Sequence, residues 1–118
     1  MTKTDRVQKL QDSIAQFAAA RNWTQFHSPK NLAMALTVEV SELLEIFQWM
    51  SQEQSYRPGR RATEHIAEEI GDIMIYLSMI ADCFDLDPVS AAESKLALNQ
   101  ARFPAPPVPD TDRKTGQE

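Results

Sequence analysis

Four acidic residues stand out by their spacing. Glu39 and Glu42 lie three positions apart, and so do Glu69 and Asp72. Residues that recur in steps of three and four share one face of a helix. On that rule Ala35, Glu39, Glu42, Ile46 and Trp49 form one stripe, and His65, Glu69, Asp72, Tyr76, Met79 and Cys83 form a second. Each stripe is largely apolar apart from its acids, carries an aromatic residue, and adjoins an apolar row. Glu64 and Glu68 point away from the core, as ordinary surface acids do. If the two helices pack, four carboxylates converge where water is partly excluded. Left unpaired they would repel and take up protons, because burial and like charge both raise a carboxylate pKa. The arrangement therefore calls for a cation. Arg57, Arg60 and Arg61 sit in a loop and can answer that need only in part. An all-oxygen donor set suits a hard ion, Mg²⁺ or Mn²⁺, rather than zinc or copper. The Glu-x-x-His pattern of di-iron bundles is absent, which disfavours a redox centre. The alternative is a solvated helix face laced with salt bridges, the usual role of any single Glu.

The elements that must hold these residues are helical throughout. The first is predicted over Asp5–Ala20, with Val7, Leu10, Ile14, Phe17 and Ala18 on one face. Ser28-Pro29 offers an N-cap followed by proline at the first helical position. A second helix follows with the apolar row Leu32, Leu36, Val40, Leu43, Phe47 and Met50. Residues 51–61 contain Pro58-Gly59 and read as a loop. A third helix runs over Thr63–Phe84 with the row Ile66, Ile70, Ile73, Leu77, Ile80 and Phe84. Asp87-Pro88 repeats the cap-plus-proline signal and opens a fourth helix to Arg102. The fold class is therefore all-α, a four-helix bundle. Residues 1–103 form one domain, and 104–118, with Pro104, Pro106, Pro107 and Pro109, form an extended tail.

Composition narrows the function. The chain has 118 residues, 42% of them hydrophobic, with 12 Lys+Arg against 17 Asp+Glu and a net charge of −5. That balance argues against a protein gripping a nucleic acid polymer through its phosphates. A small anionic ligand remains accessible if a metal supplies the positive charge. Cys83 is the one cysteine, so no intrachain disulfide forms. It reads as a small buried hydrophobe rather than a nucleophile. No apolar run approaches the ~20 residues that cross a bilayer, and the first ten residues lack the apolar segment of a signal peptide. A cytoplasmic, membrane-free setting is expected, and so small a domain gains stability by oligomerising.

At its acidic motifs the chain resembles a known family. Glu39-x-x-Glu42, running on to Phe47-Gln48-Trp49, and Glu68-Glu69-Ile70-Gly71-Asp72, running on to Tyr76-Leu77, look like the metal motif of the MazG-like all-α nucleoside triphosphate pyrophosphatases. Arg21-Asn22-Trp23-Thr24-Gln25-Phe26-His27, the stretch Lys95 to Asn99, and Arg102-Phe103-Pro104 extend the likeness toward the dCTP pyrophosphatase branch. The similarity covers about residues 5–104 in one order. It implies a bundle protomer working as a homo-oligomer, dimer or tetramer. It also implies Mg²⁺-dependent cleavage between the α- and β-phosphates of dCTP or related deoxynucleotides, base-modified ones included.

By matching position, the resemblance assigns Glu39, Glu42, Glu69 and Asp72 to the metal. Trp23, His27, Trp49 and Tyr76 match residues around the nucleotide, and Lys95 and Asn99 match polar groups near the substrate. Glu39 or Glu42 would take the proton of the attacking water. The residues by themselves also allow plainer roles. Trp23 and Trp49 could be core or interface aromatics, His27 could support a helix start, and Lys95 and Asn99 could be a polar face. Three departures bear on base selectivity: Val38 precedes Glu39 where paired acids are common, Ser41 replaces a frequent glycine, and Ile14 stands where some members carry histidine. Broad NTP or dUTP-type specificity, or a non-catalytic helical oligomer, are the competing readings.

Overall fold

A computed structural model describes residues 5–107. All regular structure among them is helical: α1 (Asp5–Ala20), a 3₁₀ turn (Thr24–Phe26), α2 (Pro29–Phe47), α3 (Gln52–Ser55), α4 (Arg60–Cys83) and α5 (Pro88–Arg102). Residues 108–118 of the expected tail lie outside the described residues.

The helix starts follow local chemistry. The Ser28 hydroxyl accepts from the Asn31 amide at 3.1 Å ahead of Pro29, and the Asp87 carboxylate accepts from the Val89 amide at 2.9 Å ahead of Pro88. Each satisfies an amide that the first turn leaves without a helical partner. Gly59, at φ +96°, adopts a backbone open mainly to glycine and starts α4 at Arg60, three residues before the expected Thr63. The predicted loop 51–61 differs in one respect, since it contains the single turn α3. Ser51 and Gln54 cap that turn reciprocally, at 3.1 Å and 2.9 Å. This side-chain pair outweighs the breaking tendency of Pro58-Gly59, which lie beyond it.

α2 and α4 pack along each other, and α1 lies on α4. The Gln11 side-chain amide donates to the Ser78 carbonyl at 3.0 Å, tying α1 to α4 across a buried seam. After α1, Asn22 takes a left-handed conformation (φ 57°), and the Trp23 amide returns to the Ala18 carbonyl at 2.9 Å. That reversal folds Trp23 back beside the end of α1 and leads into the 3₁₀ turn.

The interior is small, with Ala18, Leu32 and Ala81 its buried apolar residues. It follows the expected rows in part: Leu32 is buried, and Leu36, Leu43, Phe47, Ile66, Ile73 and Ile80 are half-buried. Ile70, Leu77 and Phe84, expected in the core of α4, are about half exposed, as is Val40 of α2. On the acid-bearing stripe of α4, Glu69 is 5% exposed and Tyr76 and Met79 are half-buried, whereas Asp72 and Cys83, the latter expected to be buried, are exposed. One chain covers only one of the two apolar faces of each central helix. α5 is present with the predicted limits, but its contacts with the other helices are chiefly with α4. Leu96, Leu98 and Phe103 remain exposed.

Candidate active site

Packing of α2 against α4 brings Glu39, Glu69 and Asp72 together, with one carboxylate oxygen of each lying within 4.8 Å of the others. Glu39 comes from the middle of α2, and Glu69 and Asp72 from successive turns of α4. Glu42 lies one turn further along α2; its side chain contacts Glu39, but it is not among the residues whose oxygens all lie within 4.8 Å of one another, and it lines a neighbouring groove. Three of the four predicted acids thus converge.

The electrostatics of the cluster are those of an unneutralised acid site. Burial is the main cause that pushes Glu39 up to about 7 from 4.5; contact with Glu69 and the charges of Glu42 and Asp72 push the same way. Burial raises the Tyr76 phenol too, with the charges of Glu39 and Asp72 adding to it. Glu39 Oε2 and Glu69 Oε2 are buried and have no hydrogen-bond partner. Buried polar atoms are almost always satisfied. Two orphaned carboxylate oxygens beside a third carboxylate therefore fit a hard divalent cation, which would satisfy both and cancel the repulsion.

Two cavities of different character involve residues of the triad or their neighbours. Asp72 and Tyr76 open onto a cavity of about 440 Å³ walled by Phe17, Trp23, His27 and Met79. Trp23 meets Phe17 edge-to-face, with ring centroids 5.4 Å apart at 73°. The Arg21 guanidinium lies over the Phe17 ring, 3.7 Å from its centroid, and donates to the Phe17 carbonyl at 3.0 Å, so the aromatic wall is braced. Glu42, Glu45, Arg61, His65 and Glu68 line a second, open and polar groove. An aromatic-walled pocket suits a flat base, and an acidic triad at its edge suits a cation that can hold phosphate.

Of the predicted substrate residues, Trp23, His27 and Tyr76 line the aromatic-walled cavity. Trp49 is 88% exposed beyond the end of α2, and Lys95 and Asn99 lie on α5. These three line neither cavity. The sequence reading missed two contributors. Phe17 was visible only as part of the α1 apolar face, and nothing local to it signalled the pairing with Trp23. His65 contacts Glu69, and its i,i+4 spacing was the available signal.

Comparison with known proteins agrees with this geometry. The profile of the MazG-like family matches residues 34–117. Human dCTP pyrophosphatase 1 is 41% identical over 104 residues, covering 85% of this chain and 60% of the human protein. The mouse dCTP pyrophosphatase 1 is 44% identical over 94 residues, covering 76% of this chain and 54% of that protein. The chain thus spans little more than half the length of these relatives. A crystal structure of a pyrophosphatase from Archaeoglobus fulgidus superposes with a TM-score of 0.80 at 34% identity, covering 89% of this chain and 98% of that one.

Proposed function

The chain belongs to the MazG-like family, and we propose on that footing that it is a nucleoside triphosphate pyrophosphohydrolase of the nucleotide pool. It hydrolyses dCTP or a related deoxynucleotide, base-modified ones included, to monophosphate and pyrophosphate. The observation that carries this reading is the triad of buried Glu69, half-buried Glu39 and exposed Asp72, with two orphaned oxygens on the first two and Asp72 opening onto an aromatic-walled cavity.

Glu39, Glu69 and Asp72 would hold Mg²⁺, with Mn²⁺ a chemically equivalent substitute. When bound, the ion neutralises phosphate oxygens and acidifies a coordinated water. The protein's residues do the rest. Trp23 and Phe17 stack on and confine the base, while His27 offers a polar edge at the same cavity. Glu42, whose side chain contacts Glu39 at the edge of the triad, would complete the ligand set, and Glu42 or Glu39 would take the proton from the attacking water. Attack at the α-phosphorus breaks its bond to the oxygen bridging to the β-phosphorus. Pyrophosphate then leaves toward the open groove.

Residues 1–103 form the catalytic domain, acting in the cytoplasm as a homo-oligomer, dimer or tetramer. The half-exposed Ile70, Leu77 and Phe84 support a second copy on that face. Trp49, Lys95 and Asn99 would then serve a neighbouring subunit's site. Among the described residues no helix is long and apolar enough to cross a membrane.

The test is incubation with a panel of NTPs, dNTPs and 5-substituted dCTPs in Mg²⁺, assaying pyrophosphate and monophosphate, with Asp72→Asn alongside. Cleavage favouring cytosine deoxynucleotides and lost in the variant is expected. Cleavage of another base moves the substrate and keeps the mechanism. No pyrophosphate from any nucleotide overturns the proposal.

A further inference from the structure

His65 begins a contact that the proposed reaction does not use. It lies one turn before Glu69 on α4, and its Nε2 stands 3.3 Å from Glu69 Oε1. The two side chains differ sharply in setting, since that of His65 is 54% exposed and that of Glu69 6%. The imidazole thus reaches from the rim of the open groove to a carboxylate inside the triad. Glu69 Oε1 has this neighbour, whereas Glu69 Oε2 is buried without one.

We infer that His65 is a positioning residue, holding one oxygen of Glu69 so that the other stays presented to a divalent ion. The inference rests on the metal reading of the triad. Glutamate has three rotatable side-chain bonds, and ordering it costs rotamer entropy whenever an ion is bound. A contact that already fixes the carboxylate pays part of that cost before the ion arrives. Partners behind metal ligands typically influence affinity by about 10–100-fold. Burial gives the reason the outer contact matters: Glu69 lies deep in the cluster among other carboxylates, and one of its oxygens is buried with no hydrogen-bond partner.

The experiment compares His65→Leu and His65→Gln with the wild type in Mn²⁺ binding by the nucleotide-free full chain, read by electron paramagnetic resonance. Turnover is measured beside it as a function of Mg²⁺. Leu keeps apolar bulk without a donor, and Gln retains an amide donor that reaches i+4. His65→Leu should bind Mn²⁺ about tenfold more weakly and need correspondingly more Mg²⁺, with kcat at saturating metal within about threefold of wild type. His65→Gln should recover most of the affinity. Wild-type affinity in His65→Leu overturns the role, and so does a loss in His65→Gln as large as in His65→Leu, which would mark a purely structural defect. Wild-type protein that binds no Mn²⁺ overturns the metal reading, and this role with it.

Discussion

The raised pKa of Glu39 makes metal binding and proton release one event. With its carboxyl pushed up to about 7, Glu39 is about one-tenth ionised at pH 6 and about nine-tenths at pH 8 in the metal-free protein. A ligand must shed its proton to bind. The apparent affinity for Mg²⁺ or Mn²⁺ should therefore rise about tenfold from pH 6 to pH 8, and binding at pH 7 should release about half a proton per ion from this group. Calorimetric titration of nucleotide-free protein in two buffers of different ionisation heat counts the protons directly. Glu39→Gln should abolish most of the release and flatten the pH dependence, while weakening binding at pH 8 by the loss of one ligand. The stability sign is the reverse of the common carboxylate case. The folded state holds this proton more tightly than the unfolded chain does, so metal-free protein loses stability as pH rises from about 4.5 through about 7. Divalent ion should restore it most strongly at the alkaline end. Flat affinity and no proton release between pH 6 and pH 8, in protein that binds the ion through Asp72, would refute the reasoning.

Other outcomes follow from the same structure. Asp72→Asn removes a ligand charge from the triad and should lower kcat/KM at least about a hundredfold, by pyrophosphate assay, without unfolding the helix that carries it. Trp23→Ala takes away one wall of the aromatic cavity; KM should rise roughly tenfold with kcat less affected, as expected for a lost stacking contact of about 1–3 kcal/mol. Leu77→Lys places a charge on the uncovered face of α4, and light scattering should find the oligomer reduced in mass if a second copy sits there; an unchanged mass would move the interface elsewhere. Ser28→Ala deletes the cap of α2 and should cost about 1 kcal/mol, seen as a fall of a few degrees in Tm.

Local order was legible in the residues themselves. Ser28-Pro29 and Asp87-Pro88 begin helices because an acceptor side chain and a preset proline φ need no distant partner. The two acid stripes were legible for the same reason, since helical periodicity alone puts Glu39 with Glu42 and Glu69 with Asp72 on shared faces. So was the need for a cation among them. What periodicity does not carry is distance between helices. Residues three apart on a helix are still offset by about 60° around it. The packing of α2 on α4 therefore decided that Glu39 joins the triad while Glu42 stays outside. The same packing buried Glu69 while leaving Asp72 exposed, and left Ile70 and Leu77 half uncovered. The aromatic-walled cavity needed three separate pieces: the end of α1, the reversal at Asn22 and the second half of α4. Only the tertiary fold joins these pieces, and only the desolvation it imposes moves the Glu39 proton into the neutral range.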